Sequence, residues 1–333
     1  MGRLSPCTSS FNKFYITFEI LPVSVPALSL GIESPIGNEL IEKTKEYLSD
    51  PRYKIRLHDL FSQKLREAVA LLADDQFKVQ GEQFNDEVFL KRIRSYEDIV
   101  KDLQAMTACV AYWGNSDHLS LLGKTLARIC DNLSPENGFV VWLNLRWYPL
   151  FILLYSSGIS SIAAKNYDAL ATILTTKVQS TRNSYETVEV VLPIGDVAAD
   201  LHDLFKRLPG HERNYVPRSE YLFKLLQPTL DDLLYLGNDY ELAFDRFEVF
   251  FALVYADLEY NKDNRVWGPL GRFAWKYKSR RTTGNVYSEI IEEAKTFKDQ
   301  WLPLKAGLFS GSIDRFLEVS SKFEELLQGL PWW

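Results

Sequence analysis

The spacing of apolar residues constrains the fold of this chain more than any other feature of its sequence. Apolar side chains recur every three or four positions through residues 55–72, and again through residues 88–103. That period places them on one face of an α-helix. Asp50 and Pro51 are typical of the start of the first helix, and Gly114 is typical of the end of the second. We therefore expect two long amphipathic helices that need neighbours along their apolar faces.

Further helical patterns cover much of the remaining chain, and Gly and Pro residues separate them. The expected helical segments are 115–133, 145–157, 159–176, 196–208, 218–236 and 239–260. The aromatic content of 14% is high, so these helices should pack through large rings. Successive helices joined by short loops predict a mainly α fold, a multi-helix array or bundle of helical hairpins.

A small β element is expected beside the helices. ETVEVVLPI, residues 186–194, is the clearest strand because β-branched residues alternate along it. Its expected partner is the N-terminal stretch FYITFEI followed by LPV, residues 14–23. TTKVQSTRNSYET, residues 175–187, is typical of an internal loop or hinge.

The chain is predicted to divide into three parts. They are an N-terminal extended segment (1–35), an N-terminal helical region (36–180) and a C-terminal helical region with the short β element (181–333). The alternative is that the two helical regions form one continuous domain, since 333 residues suit either one large domain or two smaller ones.

One segment is apolar enough to be compared with a membrane span. WYPLFILLYSSGISSIAA, residues 147–164, is uncharged over 18 positions, which is the lower limit for a spanning helix. Its four serines and the flanking Arg146 and Lys165 favour a buried pair of helices. Glu19 and two prolines interrupt the N-terminal apolar stretch, which makes it a poor secretory signal. We therefore expect a cytoplasmic protein without a membrane partner.

Patterns that carry chemistry are absent from the sequence. It contains no GxxxxGK[ST], GxGxxG, GxSxG or HExxH, and its three cysteines form no zinc or disulfide pattern. His202, Asp203, His211 and Glu212 lie close in sequence, but a Pro-Gly pair separates the histidines, which favours a solvated helix end. We predict no catalytic residue, no cofactor and no metal site.

A basic segment stands out because the formal net charge of the chain is -6, which argues against a general nucleic-acid binder. NRVWGPLGRFAWKYKSRR, residues 264–281, carries six basic residues and no acid. Its candidate contacts with nucleic acid or another partner are Arg265, Arg272, Lys276, Lys278, Arg280 and Arg281.

The faces of this basic helix depend on where it begins. A start at Pro269 buries Phe273 and Tyr277, with Trp267 beside them, and places a basic stripe at the surface. That stripe consists of Arg272, Lys276 and Arg280. The acidic segment 239–259 can pair with the stripe by antiparallel packing, with Asp257 and Glu259 as surface charges. The alternative is that the stripe contacts the phosphates of a nucleic acid or an acidic partner. The third interpretation is that it contacts a membrane surface.

Three stretches carry a family resemblance: RWYPLFILLYSSGISSIAAKNYDALATIL, FALVYADLEYNKDNRVWGPLGRFAWKYKSR and WLPLKAGLFSGSIDRF. They resemble helical regions that follow effector domains in some bacterial multidomain proteins of the Sir2-like or Schlafen-like kinds. The resemblance covers much of residues 20–333, and it implies recognition or regulation in a bacterial defence system. It assigns no site residue, and no effector domain is recognisable before the helices.

The function expected from these observations is that of a non-enzymatic interaction or sensing module with a protein partner. The first alternative is a nucleic-acid-interacting subunit that uses the basic helix 265–281. The second alternative is a ribonuclease, because RYKIRLH, Arg52 to His58, resembles the Arg and His spacing of HEPN-type enzymes. In those enzymes both side chains act on the RNA 2′-hydroxyl near a dimer interface.

Overall fold

Helices dominate the part of the chain that the computed structural model describes, which is residues 36–73, 75–133, 137–180, 186–263, 266–279 and 285–332. A two-stranded antiparallel sheet accompanies them. The predicted fold class, mainly α with a small β element, is therefore confirmed. The predicted N-terminal strand at residues 14–23 lies outside the described residues.

The helices form a connected array, and their bounds follow in chain order. The first seven are α1 Ile36–Ser49, α2 Lys54–Leu72, α3 Asp86–Trp113, α4 Leu119–Asp131, α5 Val140–Leu145, α6 Tyr148–Ala163 and α7 Tyr167–Thr175. The strands are β1 Lys177–Gln179 and β2 Thr187–Glu189. The next seven helices are α8 Val191–Phe205, α9 Pro217–Leu234, α10 Asp239–Asp263, α11 Arg272–Lys278, α12 Val286–Phe297, α13 Leu302–Lys305 and α14 Ile313–Gly329.

The two long amphipathic helices predicted from apolar spacing are α2 and α3. Asp50 caps the short 3₁₀ turn before α2 by accepting a hydrogen bond from the Arg52 backbone N–H at 2.9 Å. Asn85 caps α3 in the same way through the Val88 N–H, and α3 ends at Gly114 as predicted. Local capping chemistry therefore fixes the ends of these helices.

The strand predicted at residues 186–194 is shorter than expected. Only Thr187–Glu189 is extended, and it pairs with Lys177–Gln179 inside the segment predicted as a loop. The chain turns helical at Val191 because its apolar side chains are buried where α8 packs on α9 and α10. Pro193 is tolerated in the first turn of α8, where a backbone N–H has no helical partner.

The apolar segment 147–164 forms one continuous helix, so the predicted pair broken at Gly158 is wrong. Every residue of α6 from Tyr148 to Ile162 is buried. Gly158 allows Phe247 to approach, since an added Cβ would lie 2.0 Å from a carbon of that ring. Among the described residues, no helix combines the length and the apolar character needed to cross a membrane.

Helices α6 and α10 form the centre of the core. Helix α10 packs against α6, α8, α9, α11, α12 and α14. The Tyr155 ring on α6 lies 5.0 Å from Phe247 and 5.6 Å from Phe244 on α10, measured between centroids. Residues Ile36–Trp333 form one compact unit around this centre.

Candidate functional site: a groove beside helix α10

A groove of about 820 Å³ opens beside the N-terminal end of α10. Its walls come from the C-terminal ends of α6 and α9, the start of α7, the end of α12 and the start of α13. This volume lies within the range of ordinary ligand sites, about 300–1,000 Å³. We call this feature the α10 groove.

Large apolar side chains stand at the rim of the α10 groove and remain exposed to solvent. Their exposed fractions are 88% for Tyr235, 55% for Phe297, 50% for Leu302 and 44% for Leu242. Apolar side chains gathered at one place on a surface mark a site of interaction, whereas single exposed ones need no explanation. The rim therefore has the character of a binding surface.

The backbone contributes to this exposure at Tyr235. Helix α9 ends at Leu234, and Tyr235 adopts the left-handed conformation with φ 54°. That conformation is unfavourable for a residue with a bulky side chain. Lys165, which follows α6 at the same groove, is also left-handed with φ 55°. Such outliers often accompany functional sites.

Polar groups at the base of the α10 groove form a connected network. The Glu293 carboxylate accepts from Arg246 Nη2 at 2.6 Å and from Trp301 Nε1 at 2.9 Å. Arg246 also influences Tyr167, and burial raises the pKa of Tyr167. The base of the groove therefore presents a neutral tyrosine and a paired Arg and Glu, which suit hydrogen bonding to an occupant.

Two charged side chains at the rim have no partner. Lys165 and Asp239 both line the α10 groove, and neither side chain makes a hydrogen bond or an ion pair with the rest of the described chain. The groove therefore offers one unpaired cation and one unpaired anion to whatever enters it.

The basic segment predicted as a contact surface is instead largely engaged within the fold. Helix α11 begins at Arg272 and not at Pro269, because the Glu248 carboxylate accepts the Arg272 backbone N–H at 2.7 Å. Gly271 is needed there, since an added Cβ would lie 2.1 Å from a Glu248 oxygen. The shifted start turns Arg272 inward, so its predicted surface position is wrong.

Arg272 is only 7% exposed and lies among acids of α9 and α10. Its guanidinium contacts Glu241 at 2.9 Å and Glu220 at 3.3 Å, and it stacks on the Phe223 ring at 3.5 Å. Lys276 pairs with Glu241 and Asp245. These contacts show the predicted pairing of the basic helix with the acidic helix at two of the candidate residues.

The remaining candidate contacts divide into two groups. Lys278 Nζ donates to the backbone carbonyls of Gln328 and Leu330, each at 2.8 Å, and so holds the end of α14. The other candidates lie outside the described residues; they are Arg265, Arg280 and Arg281.

The apolar side of the basic segment follows the prediction in part. Phe273 is buried with 2% exposure, and Tyr277 is half-buried with its hydroxyl donating to Glu324 at 2.7 Å. Trp267 is 36% exposed, so the prediction that it is largely buried is wrong. Its ring packs edge-on against Tyr255 at 5.3 Å, which covers only part of the indole.

Two acids of α10 lie in the core, and one of them, Asp257, was predicted at the surface. Asp257 is 4% exposed and accepts from Arg315 Nε at 2.5 Å. Glu248 is 1% exposed and accepts from the Tyr155 hydroxyl at 3.0 Å. Burial raises the pKa of Glu248 to about 7. Sequence periodicity missed these positions because their partners lie on distant segments.

Two members of the His202, Asp203, His211 and Glu212 group have partners nearby in sequence. His211 hydrogen-bonds Asn214 at 3.0 Å, and Asp203 pairs with Lys206 at 2.7 Å. His211 is buried, so the predicted solvated helix end is wrong at this residue. Among the described residues, no cluster of three or more His, Cys, Asp or Glu side chains is placed to hold a metal ion.

The predicted ribonuclease pair has no shared site in the structure. The Arg52 guanidinium pairs with Asp50 at 2.5 Å. His58 is exposed, and its Nδ1 lies 3.4 Å from the Ser62 hydroxyl. Each side chain is therefore engaged by a neighbour in sequence.

Sequence reasoning missed the rim residues of the α10 groove. One signal was available: Leu242 is an apolar residue on the same helical face as Asp239 and Arg246, at spacings of three and four. Tyr235, Phe297 and Leu302 gave no comparable signal, since the sequence does not show which apolar residues of their segments remain exposed. Comparison of the chain with protein-family models, curated proteins and solved structures found no match.

Proposed function

We propose that this protein is a non-enzymatic interaction or sensing module, and that the α10 groove is its recognition site. The observation that carries this proposal is the convergence at one groove of four exposed apolar side chains with two unpaired charges. A concave site lined by apolar and aromatic groups with a few polar groups is the usual form of a binding site.

The chemistry of the lining residues supports recognition and not catalysis. None of the described residues that line the α10 groove is a His, Cys, Ser or Thr, so the side chains most often used as nucleophiles are not among them. The carboxylate of Glu293 is already bound by Arg246 and Trp301. This network can orient an occupant through hydrogen bonds, and Glu293 is not free to act as a base.

The biological setting of the proposal comes from the family resemblance. Helical regions of this kind follow effector domains in bacterial proteins, so we propose a regulatory or sensing role in a bacterial defence system, in the cytoplasm. A protein is the proposed partner.

The nucleic-acid alternative receives less support from the fold. Arg272 and Lys276 already pair with acids, so phosphate binding there requires breaking internal ion pairs. The alternative then depends on Lys278 and on residues outside the described ranges. The ribonuclease alternative depends on Arg52 and His58, whose present partners are Asp50 and Ser62.

Affinity purification of the full chain from its own host cells, with quantitative mass spectrometry, tests the proposal. Leu242→Asp places a charge at the rim of the α10 groove, whereas Ile55→Asp alters a 75% exposed apolar residue on α2. We expect one protein to be recovered equally with the natural chain and Ile55→Asp, and at least about tenfold less with Leu242→Asp. Equal recovery with all three chains contradicts the proposal.

A further inference from the structure

We infer that the occupant of the α10 groove is a short amphipathic helix of a protein partner, packed along the first two turns of α10. This inference rests on the proposed function and specifies the chemistry of the partner. Three features of the described chain lead to it: the incomplete cover of α10, the exposure of the apolar rim and the unpaired charges beside it.

Helix α10 is the central helix of the fold, and among its residues from 239 to 260 the exposed ones lie near its start. From Ala243 to Tyr260 every residue is buried or half-buried. Its exposed residues lie ahead of that stretch, and Leu242 is the apolar one among them. The groove-lining positions of α10 are Asp239, Leu242, Ala243 and Arg246.

These four positions have the spacing i, i+3, i+4, i+7, which is the face that a helix presents to another helix. They span about two turns, roughly 10 Å along the helix axis. On this face Asp239 and Leu242 are exposed, whereas Ala243 is buried and Arg246 pairs with Glu293 of α12, so an occupant first reaches α10 at Asp239 and Leu242. A partner helix completes the packing around α10 in the geometry already used by its neighbours.

The exposure of the rim favours a peptide over a small molecule. Tyr235 and Phe297 line the groove, and their side chains are nevertheless 88% and 55% exposed. A compact ligand of the cavity's own volume contacts the base of the groove and leaves these rings in water. An occupant that buries them has to extend beyond the cavity on both sides, as a helix of three or four turns does.

The unpaired charges define the partner further. Lys165 and Asp239 line the groove together with the apolar side chains, so the matching helix carries an acid where it passes Lys165 and a base where it passes Asp239. Between them it carries apolar residues at i, i+3 or i+4, and i+7. A second copy of this chain presents the same concave groove, and two concave faces leave a void between them.

Selection from a random peptide library of about 16 residues, roughly 24 Å as a helix, tests this inference on the intact full-length chain. We expect enriched peptides with the helical apolar spacing and one flanking acid. Their affinity should fall about thirtyfold for Leu242→Asp and remain unchanged for Ile55→Asp. Repeating the selection on Lys165→Glu should replace the conserved acid of the peptides with a base.

Circular dichroism confirms that each variant is folded, and Tyr235→Ser provides a second groove variant at a side chain with 88% exposure. The inference is overturned if the enriched peptides lack the helical spacing, or if they bind both groove variants as tightly as the natural chain. It is also overturned if native mass spectrometry finds a small molecule in the groove. If the natural chain dimerises and Leu242→Asp abolishes the dimer, the occupant is a second copy of this chain. That result also refutes the inference.

The inference and the proposed function fail in distinguishable ways. If Leu242→Asp abolishes recovery of the partner in affinity purification but the selection gives no helical peptides, the α10 groove is the recognition site. Its occupant is then not an amphipathic helix. If Leu242→Asp changes neither experiment, the α10 groove is not the recognition site and both proposals are wrong.

Discussion

Replacing Arg272 with Gln tests whether the basic segment is part of the core. The Arg272 guanidinium lies between Glu220 and Glu241 and stacks on the ring of Phe223. The shorter, uncharged Gln removes both ion pairs and the stacking. Glu220 keeps its hydrogen bond from Trp275 Nε1 at 3.0 Å, so the loss is smaller than for two isolated buried acids.

The size of the stability loss depends on how exposed the acidic partners of Arg272 are. Removing one member of a buried ion pair costs about 3–5 kcal/mol, because the remaining charge stays desolvated. The Glu241 side chain is 53% exposed and retains Lys276, so water and that lysine compensate part of the loss. Loss of the cation–π contact adds about 1–2 kcal/mol. We expect Arg272→Gln to lower the free energy of unfolding by about 2–4 kcal/mol.

Urea unfolding followed by circular dichroism measures this change, with Lys278→Gln as the matched control. Lys278 bonds only to backbone carbonyls at the end of α14, so its replacement should cost about 0–1 kcal/mol. If both variants unfold with the same small change, Arg272 lies at the surface. The packing of Arg272 against α9 and α10 is then wrong, and the basic stripe becomes available for phosphates.

Three further predictions concern the core and the groove. Burial raises the pKa of Glu248 from 4.5 to about 7. Between these two pH values the folded chain retains a proton that the unfolded chain releases. The free energy of unfolding should therefore fall as the pH rises from 4.5 to about 7. Glu248→Gln should flatten this part of the stability profile in urea unfolding, and an unchanged slope contradicts its burial. Gly158→Ala forces a methyl group against Phe247 and should cost about 1–3 kcal/mol in thermal unfolding, whereas Gly329→Ala, with open space around it, should be close to neutral. Tyr235→Asn relieves the strain of the left-handed backbone and should stabilise the fold by up to about 1 kcal/mol. The same change should weaken partner binding in titration calorimetry. A loss of stability contradicts the strain at Tyr235.

Helix formation was the part of this structure that the sequence could predict. The period of apolar residues and local caps identified α2 and α3, and similar patterns located α9 and α10 close to their observed bounds. Both signals act within a few residues of each other, so no knowledge of the tertiary structure is required. The fold class follows from them directly.

Predictions failed where distant segments decide the local structure. Gly158 was taken as a helix break, but it is the position at which α6 admits Phe247. The segment from Val191 is β-branched, yet burial beside α9 and α10 makes it helical. Helix α11 begins at Arg272 and not at the predicted Pro269, because the Glu248 carboxylate on α10 accepts the Arg272 backbone N–H. Arg272 is therefore buried and not at the surface as predicted.

The α10 groove could not be predicted from sequence because its rim joins separate segments. Tyr235 and Leu242 flank one turn, whereas Phe297 and Leu302 lie more than fifty residues later in the chain. Each is an ordinary apolar residue until the fold brings them to one cavity. The exposed fraction of each side chain is the decisive observation, and it exists only in the folded protein.

Amide hydrogen exchange of the chain with and without its captured partner tests the assignment of the recognition site most directly. Binding at the α10 groove should slow exchange in residues 235–246 and 297–302, because the partner covers these segments. Exchange in α2, residues 54–72, should not change. Protection confined to α2 or to the basic segment 266–279, with none at the groove, contradicts the assignment.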